Sequence, residues 1–227
     1  MTLMKISRKF PVLYSYMNDI YSVNDIENSL DYDRKYPKLD KLIDCNILDK
    51  KHFKTYWVNG ILSSIEEKMG EKIMDLTIGP IPNYGGMIRF TESSINSKSL
   101  VFEVQFYISF INNYISIQIA EIQEHRFFNP VLKREMISQN LESLTVSPTN
   151  NKYGEIFLKL EQVLSRIIHK PIFIPFSVGS TVIEGFSIPH SYKEVNTVDD
   201  AFFCKKVPIK QSNNVLGNIN YRIEELT

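Results

Sequence analysis

The feature that most constrains this chain is a pair of alternating apolar and polar runs within residues 100–122, separated by Asn112 and Asn113. A period of two places successive side chains on opposite faces of a β-strand. Asparagine tolerates the positive φ angles of a tight hairpin turn. A two-residue turn at this point would pair Phe106 with Ile119, so the sequence predicts an antiparallel hairpin with one apolar face.

The opposite face of this hairpin is polar, with Glu103, Gln105 and Tyr107 on its first strand. We expect this face to be covered by a helix or solvated, and an exposed recognition surface is the alternative. The same register places Glu121 opposite Val104, where we expect the carboxylate to lie at the rim of the core.

Helical patterns precede and follow the hairpin. Apolar residues recur every three or four positions over 10–21, 53–69 and 153–168, as is typical of helices that bury one face. Asp49 is a good N-cap for the second of these helices, and Gly70 is a good terminator. We also expect a short helix between the first two patterns.

Strands and helices in this order favour an α+β fold over a parallel βαβ array. We therefore predict one α+β domain over 1–227, in which an antiparallel sheet with its central hairpin at about 100–122 packs against amphipathic helices. A separate helical N-terminal lobe over 1–70 is the alternative. Further strands are expected at 73–78, 87–91, 172–178, 181–188 and 201–207.

Composition limits the class of protein. The 26 basic and 26 acidic residues cancel, and 43% of the residues are hydrophobic, so the chain is neither disordered nor a general polyanion binder. We expect no nucleic-acid partner, and no apolar stretch reaches the roughly 18 residues of a membrane span. Cys45 and Cys204 match no metal or disulfide spacing, so we expect free thiols and a cytoplasmic protein without a membrane partner.

The densest polar cluster lies at the end of the hairpin. Glu121, Glu124 and His125 would form the dispersed pocket of a small hydrolase-like enzyme if they converged. Alternate residues of a strand face opposite sides, however, so we predict no metal site there, and we expect no cofactor. The common nucleotide, zinc and calcium motifs do not occur in the sequence.

One partial catalytic motif occurs near the C-terminus. Gly185 and Ser187 form half of a nucleophile elbow, but Pro189 stands where the second glycine would be. We favour an ordinary turn at the end of a strand over a catalytic serine.

Aromatic and arginine side chains contribute disproportionately to protein interfaces. The candidates outside the apolar stripes are Tyr84 in the proline- and glycine-rich loop 79–86, Arg89 on the next strand, Tyr107 on the polar hairpin face, and Arg126 beyond the hairpin. We therefore expect a non-enzymatic cytosolic protein-binding module, with a toxin-neutralising immunity-type protein as one form. The alternatives are the small enzyme above and a structural or assembly protein of a virus or phage.

Overall fold

Helices pack on both faces of a mostly antiparallel sheet in a computed structural model of the chain, which confirms the predicted α+β class. The structure describes residues 9–21, 36–77, 79, 81–95, 98–149, 152–183, 186, 188–189, 196–205 and 214–226. The expected turn at Ser187 lies outside these residues.

The predicted helices form where their patterns begin and end. Asp49 caps its helix, because its carboxylate accepts hydrogen bonds of 3.0 Å from the backbone N–H groups of Lys51 and His52. Gly70 ends the same helix with a φ of 72°, a left-handed conformation that glycine adopts without strain. The helices are α1 (Pro11–Tyr21), α2 (Pro37–Ile43, continued by π-helical Asp44–Leu48), α3 (Lys50–His52, π-helical Phe53–Leu62 and Ser63–Met69), α4 (Lys152–Ile167), α5 (Phe176–Gly179), α6 (Val198–Phe202) and a final 3-10 turn (Ile223–Leu226).

The sheet is built around long consecutive strands. The strands are β1 (Met74–Asp75), β2 (Asn83–Ile95), β3 (Lys98–Ser109), β4 (Tyr114–Asn129), β5 (Arg134–Thr145), β6 (Ile172–Phe173), β7 (Val182–Ile183), β8 (Asn196–Thr197) and β9 (Val215–Leu216). Among the described residues the main sheet has the order β1-β2-β3-β4-β5-β9, and β6 lies parallel to the start of β4. β7 and β8 form a separate small pair.

The central hairpin is antiparallel as predicted, but its register differs by two residues. Phe106 lies opposite Ile117, and Ile119 lies opposite Val104. The connection spans residues 110–113, and the N–H of Phe110 donates to the carbonyl of Pro82, just before β2, at 2.9 Å. Asn112 and Asn113 have the expected positive φ angles, 54° and 52°. A shift of two preserves the face of every side chain, so the apolar face survives the change.

Both faces of this hairpin are buried. The first face packs against α3 and α4, and the second face packs against α1, α2 and the C-terminal segments. Its polar side chains are therefore covered, which is one of the two arrangements expected. The first face carries Val104, Phe106, Ile108, Ile115, Ile117 and Ile119; the second face carries Glu103, Gln105, Tyr107, Ser116, Gln118 and Ala120.

Three segments differ from their sequence-based prediction. The strand expected over 172–178 ends at Phe173, and Phe176–Gly179 form α5. The loop expected over 79–86 is shorter, because β2 already begins at Asn83. The strand expected from Ala201 is wrong: Ala201 lies in α6, whose start is fixed by a capping box in which Thr197 and Asp200 bind each other's backbone N–H groups.

The packing of the first face can be tested at Phe106. Its side chain has no exposed surface, and its ring lies over Gly86 on β2. A Cβ at position 86 would lie 2.3 Å from Cζ of Phe106. We expect Phe106→Ala to lower the free energy of unfolding by about 3 to 5 kcal/mol, and Gly86→Ala to lower it by about 1 to 3 kcal/mol through overpacking.

The two changes should not be additive, because removing the Phe106 ring makes room for the new methyl group. Urea unfolding of both single variants and the double variant measures this coupling. A loss below about 1 kcal/mol for Phe106→Ala would show that the ring is not part of the core.

Candidate protein-interaction surface

Two of the four candidate contact residues are buried. Tyr84 has 2% of its surface exposed and stacks on Trp57 with ring centroids 4.6 Å apart. Its hydroxyl donates to the carbonyl of Asn46 at 3.1 Å, and burial raises the pKa of Tyr84 above its ordinary value. Tyr107 has 1% of its surface exposed. The expectation of an exposed patch that includes these two tyrosines does not hold, because helices cover both faces of the strands that carry them.

Arg89, the third candidate, forms ion pairs across the second face. One guanidinium nitrogen lies 3.0 Å from Oε1 of Glu103, and another lies 2.6 Å from Oε2 of Glu124. Burial alone would raise the pKa of Glu124, but hydrogen bonds from Arg89 and Gln139 outweigh burial and lower it. The guanidinium therefore holds together carboxylates from β3 and β4.

These ion pairs belong to a continuous hydrogen-bonded chain, which we call the polar network. Tyr107 donates to Oε1 of Gln105 at 2.9 Å, and Gln105 donates to Oε2 of Glu103 at 2.8 Å. Every buried polar group on this path has a partner, which buried polar groups require. The polar network comprises Tyr107, Gln105, Gln118, Glu103, Arg89, Glu124 and Gln139 and crosses four strands.

The three residues of the alternative enzyme site do not line one pocket. Glu124 lies on the second face, within the polar network. Glu121 and His125 lie on the first face, where Ser143 donates to Glu121 at 2.7 Å and His125 stacks on Phe127. Among the described residues, no group of three His, Cys, Asp or Glu side chains could hold a metal ion.

Arg126, the fourth candidate, is exposed and lies in a feature that the sequence analysis does not predict. β4 pairs with β3 only as far as His125, which lies opposite Lys98. Beyond this point β4 and β5 pair only with each other within the described residues, and they form a two-stranded ribbon over 126–137. Each ribbon strand extends about 13 Å past the sheet at about 3.3 Å per residue.

The turn of the ribbon has its own local order. The side-chain oxygen of Asn129 accepts hydrogen bonds from the N–H groups of Val131 at 2.9 Å and Leu132 at 3.0 Å, an Asx turn. Lys133 completes the turn with a φ of 50°. Asn129 also donates to the sulfur of Met136 at 3.3 Å. The side chain of Asn129 thus orders the turn through contacts within the ribbon.

The ribbon concentrates exposed apolar side chains. Thirteen large apolar residues are exposed in the described part of the chain, and five of them fall within these twelve positions. Contiguous exposed apolar groups mark interaction sites in folded proteins, whereas single exposed ones are ordinary. The five are Phe127, Phe128, Val131, Leu132 and Ile137.

A second surface feature lies between the end of β2 and the start of α4. An open cavity of about 350 Å³ is lined by Phe90, Thr91, Glu92, Tyr153 and Ile156. The hydroxyl of Tyr153 donates to Glu92, and burial, with a smaller contribution from Glu121, raises the pKa of Tyr153. The phenol and the carboxylate inside this cavity thus bind each other.

No family model, curated protein or solved structure matches this chain. No helix in the described ranges is long and apolar enough to cross a membrane.

We predict that Arg89→Met lowers the free energy of unfolding by about 3 to 5 kcal/mol at neutral pH, because it leaves buried carboxylates without a counter-charge. The loss should shrink as the pH falls towards about 4. In the wild type the pKa of Glu124 is lowered by folding, so this carboxylate stabilises the fold above the pKa it has in the unfolded chain, and the stabilisation is lost in acid. In Arg89→Met, burial raises the pKa of Glu124 instead. Protonation at low pH then removes the cost of burying an unpaired charge.

Urea unfolding at pH 7 and at about pH 4.5 measures the effect. Arg89→Lys is the matched control, since it keeps the charge but cannot bridge two carboxylates with one planar group, and an intermediate loss is expected. If Arg89→Met and Arg89→Lys lower the free energy of unfolding equally at both pH values, an electrostatic role for Arg89 is contradicted.

Proposed function

We propose that this protein is a protein-binding module and that it binds its partner through the ribbon, residues 126–137. The observation that carries the proposal is the cluster of five exposed large apolar side chains in that segment. Binding residues are often found on projecting connections that a rigid scaffold positions.

The construction of the ribbon supports the proposal. Its strands continue directly from β4 and β5, whose inner parts are fixed in the sheet. A contact element that is ordered before binding loses little conformational entropy on association. Arg126 lies across from Ile137 at the base of the ribbon, so one of the four sequence-based candidates belongs to this surface.

The specific form that we propose is toxin neutralisation of the immunity type, in the cytoplasm. A non-enzymatic module neutralises an enzyme when it covers the active site. Cys45 and Cys204 are both free thiols and both exposed, which suits a reducing compartment. No specific observation favours the enzyme or the viral assembly protein over this form.

The proposal is tested by exchanging one exposed valine. Val131 at the turn has 86% of its surface exposed, and Val12 on α1 has 58%. The chain is immobilised, the protein captured from lysate of the source cells is identified and produced pure, and its Kd is measured calorimetrically. We expect Val131→Ser to weaken binding by about 1 kcal/mol, roughly fivefold, because apolar area at an interface is lost.

Val12→Ser is the matched control and should bind like the wild type. Both variants should melt within a few degrees of the wild type, since exposed substitutions change stability little. Equal affinity of the two variants for the pure partner would show that the ribbon is not the contact element. The immunity-type form further requires that the wild-type chain inhibit the partner's own activity.

A further inference from the structure

The apolar side chains of the ribbon point in three directions. Phe127 continues the first face, with Met136 opposite it, and Phe128 continues the second face, where Ile137 also lies. Val131 lies in the turn beyond the last strand pair. A partner with a flat surface would contact one face and leave the other exposed. Burying all three sets of side chains requires a partner that surrounds the ribbon.

Charge gives a second property of that partner. Lys133 and Arg134 follow the exposed apolar turn, and neither forms an ion pair within the described residues. The ribbon has one acidic residue, Glu135, in a chain whose total charge is zero. A basic patch of this kind is complemented by carboxylates on the facing surface.

We infer that the ribbon inserts into a cleft of a partner protein, and that the cleft has an apolar interior and carboxylates near the turn. This inference rests on the proposed function and specifies the shape and charge of the partner. Active sites are concave and largely apolar with a few polar groups, so an enzyme active site has the required form.

The position of the charges favours a protein cleft over a lipid surface. Arg134 pairs with Asn129 at the last rung of the ribbon, and Lys133 lies in the turn itself. Both cations therefore lie farther along the ribbon than Phe127 and Phe128. Inserting these phenylalanines into a bilayer would carry the cations deeper still, where charged side chains are costly. A protein can place carboxylates at that depth.

The shape of the partner is tested by photo-crosslinking in the full-length chain. p-Benzoylphenylalanine replaces Phe127, Phe128 or Val131, one at a time, and also replaces Leu158, which is 40% exposed on α4, as the control. After irradiation in lysate of the source cells, adducts are identified by mass spectrometry. We expect all three ribbon positions to crosslink to the same protein, at sites that line one concavity, and position 158 to give no such adduct.

The other outcomes distinguish a failure of the cleft from a failure of the proposed function. Adducts from only one face would contradict the cleft and leave the proposed function intact. No adduct at any ribbon position would contradict the proposed function itself, and the inference with it. Co-sedimentation of the wild type with vesicles of equal parts phosphatidylserine and phosphatidylcholine, lost in Val131→Ser, would assign the ribbon to a lipid surface and overturn the inference.

Charge reversal at Lys133 tests whether the partner's cleft carries carboxylates near the turn. We expect Lys133→Glu to reduce affinity for the crosslinked partner by at least about tenfold, mainly at low ionic strength, because opposite charges attract over the Debye length. Lys54→Glu, at an exposed position of α3, is the control and should bind like the wild type. Equal affinity of the two variants would show that the cleft carries no carboxylates near the turn.

Discussion

The fold depends on satisfying polar groups in a sheet that is buried on both faces. Glu103 and Gln105 have no exposed surface, and they lie in the middle of β3. An unpaired carboxylate in such a place costs several kcal/mol. The ion pairs of Arg89 remove this cost and connect β2 to β3 and β4. The helices that cover the second face can pack there because the polar network leaves these groups paired.

The ribbon depends on the same arrangement. Glu124 and Gln139 bind each other across β4 and β5, just before the two strands leave the sheet. An isolated two-stranded hairpin is marginally stable in water. Here the pair of strands is already fixed by Arg89 at the base, and the Asn129 turn fixes the other end. The exposed side chains between these points are therefore presented in one arrangement.

The sequence pattern predicted the strands of the central hairpin but not their register. Alternation specifies which face a side chain occupies, and a shift of two residues leaves that unchanged. The observed connection has four residues, 110–113, instead of two, and alternation alone does not distinguish these turn lengths. The sequence alone places Tyr84 at the surface for a related reason: β2 is covered on both faces, so its sequence shows no amphipathic pattern that would indicate burial.

The sequence does not predict the ribbon, because the ribbon is exposed on both faces where β2 is buried on both. The outer half of β5 is mostly exposed on both faces, so it has no apolar period of two. A usable signal did exist, since Asn129-Pro130 is a dipeptide that favours turns between two extended segments. In contrast, α3 was well predicted because Asp49 and Gly70 are local signals that act within a few residues.

The separation of the ribbon from the body has a consequence for substitutions. Replacing Arg89 leaves Glu103 and Glu124 without their counter-charge, so the effects of substitutions at these three positions are coupled. Exposed positions such as Val131 carry no such coupling to the core. Substitutions at exposed ribbon positions can therefore change the surface of the ribbon while the stability of the sheet stays nearly constant.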